Sequence, residues 1–289
     1  MKLIFFGAGY CSKYILPRLV EDIEIICTHS SVIRSEQFDE NFNLKRLTFK
    51  EFLKEKKNLL KNVTHIIDSI PPVNDEDMII SNLKDDLKEH SEKLEWFGYF
   101  SSTSVYGDYS GKWVDEENEK IPTTIRGINR AKAEESFLKL FKENNLPLHI
   151  FRLPGIYGPG RSAVDKILSG NRSVIKKPKH FFSRIHVEDI ASAIILSMKK
   201  PTPGEIYNLT DDYPCSSNEV MEYASKLLKI KDLDFLNIDN PKVSEKTKDF
   251  YRDNKRVSNK KIKKILDWTP KFGTYRLGLK NIFENYSNE

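Results

Sequence analysis

The chain has 289 residues, with 47 basic and 42 acidic side chains and a formal net charge of +5. That length suits one large α/β unit, or a nucleotide-binding domain carrying a smaller lobe. A charge excess this small, with the lysines scattered among acids over 51–61, 84–93 and 260–264, speaks against nucleic acid as a partner.

The first predicted strand is Leu3–Phe6, a run that stops at Gly7 and is too short for a signal h-region or a membrane span. A helix is expected over Cys11–Val20. Further strands are expected at Ile23–Thr28, Leu44–Leu47, His65–Ser69, Trp96–Ser101 and Leu148–Leu153, with helices at Lys50–Leu60, Glu76–Leu94 and Arg130–Asn144 between them. Short apolar runs bounded by turn residues suit strands buried on both faces of a parallel sheet, and the alternating β-α order calls for right-handed crossovers. Beyond residue 154 the pattern loosens. Gly155, Gly158, Pro159 and Gly160 form a turn-rich loop, a strand is expected at Ile206–Leu209, and helices at Val187–Lys199, Ser217–Leu228, Ser258–Leu266 and Tyr275–Tyr286. The fold class is therefore α/β, a Rossmann-type doubly wound parallel sheet. The expected division is a dinucleotide-binding domain over 1–154 and a smaller mixed lobe over 155–289, with about 185–210 returning to the first domain. Cys11, Cys27 and Cys215 are odd in number and form no C-x-x-C pair, so neither zinc nor a disulfide framework is expected and a cytoplasmic protein is. No metal site is expected.

The chemistry-bearing motif is Gly7-Ala8-Gly9-Tyr10-Cys11-Ser12, placed between the first strand and the first helix. Gly7 permits the tight turn, Gly9 lets the backbone approach a pyrophosphate, and Ser12 stands small where the third glycine of G-x-G-x-x-G would be. The second strand ends in Thr28-His29-Ser30-Ser31, with Arg34 close behind and no carboxylate. A carboxylate there would bind a ribose 2′-hydroxyl; hydroxyls and a cation suit a 2′-phosphate, so NADP is expected, with NAD the alternative. The fourth strand runs into Ser69, Ile70 and Pro71, read as a wall beside the cofactor or as an ordinary chain reversal.

Three further segments are family-like: Ser101-Ser102-Thr103-Ser104-Val105-Tyr106-Gly107; Arg152-Leu153-Pro154-Gly155-Ile156-Tyr157-Gly158-Pro159-Gly160-Arg161; and Arg184-Ile185-His186-Val187-Glu188-Asp189-Ile190-Ala191. In order and spacing they resemble the extended short-chain dehydrogenases/reductases, the NAD-dependent epimerases and dehydratases. The resemblance implies a Rossmann fold, cofactor contacts at Ser101, Leu153 and Gly155, and a substrate oxygen held by Ser102 with Thr103 beside it. It also implies a Tyr-x-x-x-Lys pair, whose Lys falls at Lys132 as a ribose and catalytic residue. Four residues earlier stands Ile128, which carries no proton. The chain therefore resembles the atypical subset that lacks the Tyr.

The proton-transfer role then has no owner. Tyr106, Tyr157, Arg126 and His186 are the candidates, each with a plainer structural reading. Asp115 and Glu116 read as a solvated acidic loop, Asp189 as a residue capping the helix near Val187, and Arg152 and Arg184 as its structural partners or as contacts to a substrate phosphate. The expected function is an NAD(P)-dependent oxidoreductase or epimerase/dehydratase-like enzyme for a small, sugar- or nucleotide-like substrate. The alternative is a catalytically inactive NAD(P)-binding sensor. A homodimer is expected by resemblance alone.

Overall fold

The computed structural model describes residues 1–19, 23–30 and 43–286. In chain order the elements are β1 (Lys2–Phe6), α1 (Ser12–Ile15), β2 (Glu24–His29), β3 (Leu44–Thr48), α2 (Phe49–Leu59), β4 (His65–Asp68), α3 (Met78–His90), β5 (Trp96–Ser102), β6 (Trp113–Val114), α4 (Ile125–Asn144) and β7 (Leu148–Leu153). They continue with β8 (Gly155–Tyr157), α5 (Ala163–Leu168), β9 (Ser173–Lys176), β10 (Arg184–His186), α6 (Val187–Lys199), β11 (Ile206–Asn208), α7 (Ser217–Leu227), β12 (Asp234–Asn237), α8 (Glu245–Phe250), β13 (Arg256–Val257), α9 (Lys260–Leu266) and α10 (Tyr275–Tyr286).

The chain forms two compact units. The first comprises Met1–Ser102, Ile128–Arg152 and Ile190–Tyr207; the second comprises Thr103–Gly127, Leu153–Asp189 and Asn208–Glu289. This differs from a single boundary at 154, because Thr103–Gly127 lies with the second unit and the returning segment is Ile190–Tyr207.

The first unit is built on a seven-stranded sheet in the order β11-β7-β5-β4-β1-β2-β3. The pairs β2/β3, β1/β2, β1/β4 and β4/β5 are all parallel. β1 is central, and Leu3, Ile4, Phe5 and Phe6 are fully buried, which is why it reads as a continuous apolar run without alternation. One core gathers Ile4, Phe6, Ile66 and Phe97 from the sheet against Phe52, Leu83 and Phe137 of α2, α3 and α4. α2 starts on a capping box in which the Thr48 hydroxyl accepts from the Glu51 amide and Glu51 accepts in return from Thr48.

Two elements differ from their expected spans. α1 covers only Ser12–Ile15 and gives way to a 3₁₀ turn at Leu16–Arg18, because Pro17 has no N–H with which to continue an α-helix. α4 begins at Ile125, not Arg130, and Gly127 sits inside it. A Cβ at Gly127 would lie 2.5 Å from the Ser104 carbonyl oxygen, so this glycine serves a close approach and does not break the helix.

The second unit carries three two-stranded parallel ladders, β8/β10, β9/β12 and β6/β13. Its core packs Val164 and Ile167 of α5 against Met221 and Ala224 of α7 and Leu279 and Ile282 of α10. No described helix is long and apolar enough to cross a membrane.

Candidate dinucleotide site

The carboxyl ends of β1, β2, β3 and β4 open onto one cleft of about 910 Å³, within the first unit. The β1–α1 turn contributes Gly7, Gly9 and Tyr10. The end of β2 contributes Thr28, His29 and Ser30, and the loop after β4 contributes Ser69, Ile70 and Pro71. Arg34 lies outside the described residues.

Gly7 has φ +75°, and a Cβ there would meet Ile70 Cγ1 at 2.9 Å and Ser69 Oγ at 3.2 Å. The Ser69 hydroxyl donates to the Gly7 carbonyl at 2.8 Å, and the Gly7 amide donates to Thr28 Oγ1 at 3.1 Å. The turn is thus clamped between β2 and the loop after β4. Gly9 is open: the nearest atom to a Cβ there is the Gly7 carbonyl oxygen at 3.8 Å. A pyrophosphate fits against such a turn, because backbone and not side chain faces the cleft. Ser12 is buried and donates to the Gly9 carbonyl at 2.7 Å, so it fixes the turn from behind and does not line the cleft. The Cys11 carbonyl accepts from the Tyr14 and Ile15 amides and starts the short α1. Burial holds His29 below the usual imidazole range, so this side chain is neutral at pH 7.

Sequence reasoning missed Lys13, Thr48 and Lys50, which also line the cleft. Lys50 follows β3, and β3 pairs with β2 so that Thr48 stands opposite His29. The signal lies in that register, which the spacing of the chain alone does not give.

The loop after β4 is held by two buried carboxyls. Asp68 accepts from the Ile70 amide at 2.9 Å, and Asp77 accepts from the Ile79 and Ile80 amides at 2.9 and 3.1 Å. Burial and the neighbouring Asp77 raise the pKa of Asp68 well above the carboxylate range; burial raises Asp77 too. Arg130, which donates to Tyr99 Oη at 3.0 Å, partly offsets both.

The residues transferred from the resemblance are placed as follows. Ser102 ends β5, half-buried, and Thr103 opens the second unit in a 3₁₀ turn, buried. The Ser101 hydroxyl does not face the cleft. It donates to Glu134 Oε1 at 2.6 Å, and Glu134 is held by Arg152 through Nε at 2.9 Å and Nη2 at 2.7 Å. Arg152 therefore pairs with Glu134. Lys132 is on the surface of α4, its ammonium 3.0 Å from Asp75. Ile128, one turn earlier, is 36% exposed. Leu153 and Gly155 belong to the second unit, where Gly155 pairs with Arg184.

Among the candidates for the proton, Tyr106 is fully buried and donates to Asn208 Oδ1 at 2.8 Å, a structural role. His186 is buried, packs edge-on to Tyr157 and accepts from the Glu188 amide at 3.2 Å through Nδ1. Tyr157 is 8% exposed and its hydroxyl has no hydrogen-bond partner among the described residues. Arg126 is exposed on the first turn of α4. Glu116 is not simply solvated: it accepts from the Asn208 amide at 2.6 Å. Asp189 stands in the first turn of α6. Its carboxylate oxygens accept from the Lys271 and Phe272 amides at 2.7 and 3.0 Å, tying α6 to the loop before α10.

A parallel doubly wound sheet with a glycine turn clamped at its switch point defines a dinucleotide-binding α/β protein. Residues 82–210 match the model of the NAD dependent epimerase/dehydratase family. That segment, a little under half of the chain, carries the family's pattern. The chain is 28% identical over 149 residues to human dTDP-D-glucose 4,6-dehydratase, a match covering 49% of this chain and 42% of that enzyme, so it spans less than half of the relative's length. A protein of unknown function from Silicibacter pomeroyi is 35% identical over 98% of both chains, with a TM-score of 0.90. The dTDP-glucose 4,6-dehydratase of Bacillus anthracis, solved in complex with NAD, shares the fold at 21% identity and a TM-score of 0.78, over 100% of this chain and 97% of that one.

Proposed function

We propose that the chain is an NADP-preferring oxidoreductase or epimerase/dehydratase-like enzyme acting on a small, sugar-like substrate. The observation that carries the cofactor reading is the charge of the cleft: Lys13 and Lys50 line it beside Ser30, and no carboxylate does among the described residues. The Gly7–Gly9 turn would hold the pyrophosphate, with Lys13, Lys50 and Ser30 about a 2′-phosphate. The bound dinucleotide would supply hydride transfer. Ser102 would hydrogen-bond the substrate oxygen, and Lys132 would hold the nicotinamide ribose after leaving Asp75. Ile128 takes no part in proton transfer. The pairing of Lys132 with Asp75 is also what favours a second reading, a cofactor-binding sensor without turnover.

Calorimetric titration tests the cofactor reading. NADPH is expected to bind at least about tenfold more tightly than NADH, and Lys50→Glu to narrow or invert that ratio. Equal affinities, or tighter NADH, would remove the 2′-phosphate assignment. Turnover of the NADPH-loaded protein on a panel of carbonyl sugars separates enzyme from sensor, and Ser102→Ala is expected to abolish it.

A further inference from the structure

The loop that walls the cleft after β4 runs between two carboxyls, Asp68 at the end of β4 and Asp77 at the N-cap of α3. Within it Val73 and Glu76 pair across a tight turn at 2.9 and 3.1 Å, and the tip residues Asn74 and Asp75 have φ of 53° and 65°. Its first residues face the cofactor turn. Ser69 holds the Gly7 carbonyl, and Ile70, Pro71 and, just past Asp77, Met78 line the cleft. Whatever fixes the base of this loop fixes one wall of the site.

Asp68 is fully buried and Asp77 nearly so. Each commits Oδ1 to backbone, Asp68 to the Ile70 amide and Asp77 to the Ile79 and Ile80 amides. Oδ2 of each is buried and meets no donor among the described residues. Yet the two side chains lie against each other at hydrogen-bonding range. Ionised carboxylates only accept and repel one another, so this contact closes only through a proton. The charge count agrees. The cation that acts on both carboxyls is Arg130 of α4, itself buried and donating to Tyr99 Oη at 3.0 Å and to the Phe100 carbonyl at 2.5 Å. One guanidinium balances one carboxylate; a second buried negative charge would stand uncompensated. The Tyr99 phenol on β5 also acts on the pair, and burial raises its pKa, so it stays neutral. The N-terminus of α3 favours the anion at Asp77, which leaves the proton on Asp68.

We propose that Asp68 Oδ2 carries a proton at neutral pH and donates it to Asp77 Oδ2, closing the loop over 69–76 at its base, so that Asp68 is a positioning residue for the dinucleotide. Asp68 acts through Ser69 and Ile70, which follow it directly. This deepens the proposed function. The effect on the cofactor rests on that reading, whereas the shared proton is present without any ligand.

Infrared difference spectroscopy of the full chain at pH 7, parent against Asp68→Asn, reads the proton, and calorimetric titration with NADPH reads the wall. The parent is expected to show the C=O stretch of a carboxylic acid that Asp68→Asn lacks. In Asp68→Asn the Nδ2–H donates where the proton did and Oδ1 still accepts from Ile70, so NADPH affinity is expected to stay within about twofold of the parent. Asp68→Ala removes donor and acceptor together and is expected to weaken NADPH at least about tenfold. Asp68→Asn combined with Asp77→Asn leaves Arg130 unbalanced and is expected to weaken it likewise, an effect that simple packing of two polar side chains would not produce. A carboxylate lost in the difference spectrum, in place of a carboxylic acid, overturns the shared proton. Asp68→Asn binding as weakly as Asp68→Ala, or Asp68→Ala binding like the parent, overturns the positioning role. Should Asp68→Ala not fold, the single and double Asn variants decide, and equal NADPH affinities in the two overturn the role. A parent that binds no NADPH sinks the cofactor reading alone, and the infrared band still decides the proton.

Discussion

Glu134 and Arg152 show how much one pair of side chains decides. Both are buried, their side chains 0% and 3% exposed, in bidentate contact at 2.7 and 2.9 Å, and Ser101 adds a third hydrogen bond. Such a pair gives little net stability, since desolvating two charges cancels most of their attraction, but breaking it strands a charge in the interior. Glu134→Gln is therefore expected to cost about 3–5 kcal/mol in urea unfolding, and the double change Glu134→Leu with Arg152→Met to recover much of that. A Glu134→Gln loss below about 1 kcal/mol would show that the pair is not desolvated as the burial implies. The arrangement was invisible in the sequence. Residues 101, 134 and 152 come from β5, α4 and β7, and only their pairing in the fold brings them together. Ser101 looked like a cofactor contact because a strand end beside Ser102 is all the sequence displays.

At the scale of elements, the β1–α1 turn carries the site, and Gly7 is its hinge. Gly7→Ala places a Cβ at φ +75° and 2.9 Å from Ile70 Cγ1, so both the backbone conformation and the wall after β4 must give. A strained φ of this kind costs about 1–3 kcal/mol. The expected result is a lower Tm and NADPH binding weakened more than tenfold; unchanged affinity would place the pyrophosphate elsewhere. This turn was legible because strand, glycines and helix start are contiguous in sequence. The parallel strands were legible for a related reason: β1 carries the unbroken apolar run Leu3–Phe6, and β7, buried throughout, is apolar except for His149 and Arg152. The ladders β6, β8, β9, β10, β12 and β13 were not, being two to four residues long and too short to show a period. Lys50 escaped notice because the register between β2 and β3, and not spacing along the chain, brings the end of β3 to the cleft that Ser30 also lines.

Across the whole molecule, buried ionisable groups set how stability responds to pH, and their signs oppose one another below neutrality. Burial pushes Asp189 up to about 6 and Asp211 to about 8, and raises Asp68 as well. In the unfolded chain these carboxyls ionise near 3.9. Between that value and the folded pKa the folded state holds protons that the unfolded state has lost, so stability falls as pH rises through the window. Buried His149 and His180 work the other way, each pulled down to about 4. The unfolded chain protonates them up to about 6.5, so their contribution rises with pH to that point and is then constant. Above 6.5 the histidines no longer offset the acids, and the slope left between 6.5 and 8 belongs chiefly to Asp211. The Tm is accordingly expected to fall from pH 6.5 to pH 8.5, at a rate bounded for each group by about 1.4 kcal/mol per pH unit. Asp211→Asn keeps an acceptor for the Tyr213 amide, which Asp211 Oδ1 meets at 3.2 Å, while removing the charge. It is expected to be more stable than the parent at pH 8.5 and to show a shallower decline. Thermal melts by circular dichroism at pH 6.5, 7.5 and 8.5 decide it: a flat or rising Tm in the parent, or an identical slope in Asp211→Asn, would mean that Asp211 is ionised in the folded protein and solvated more fully than its burial implies.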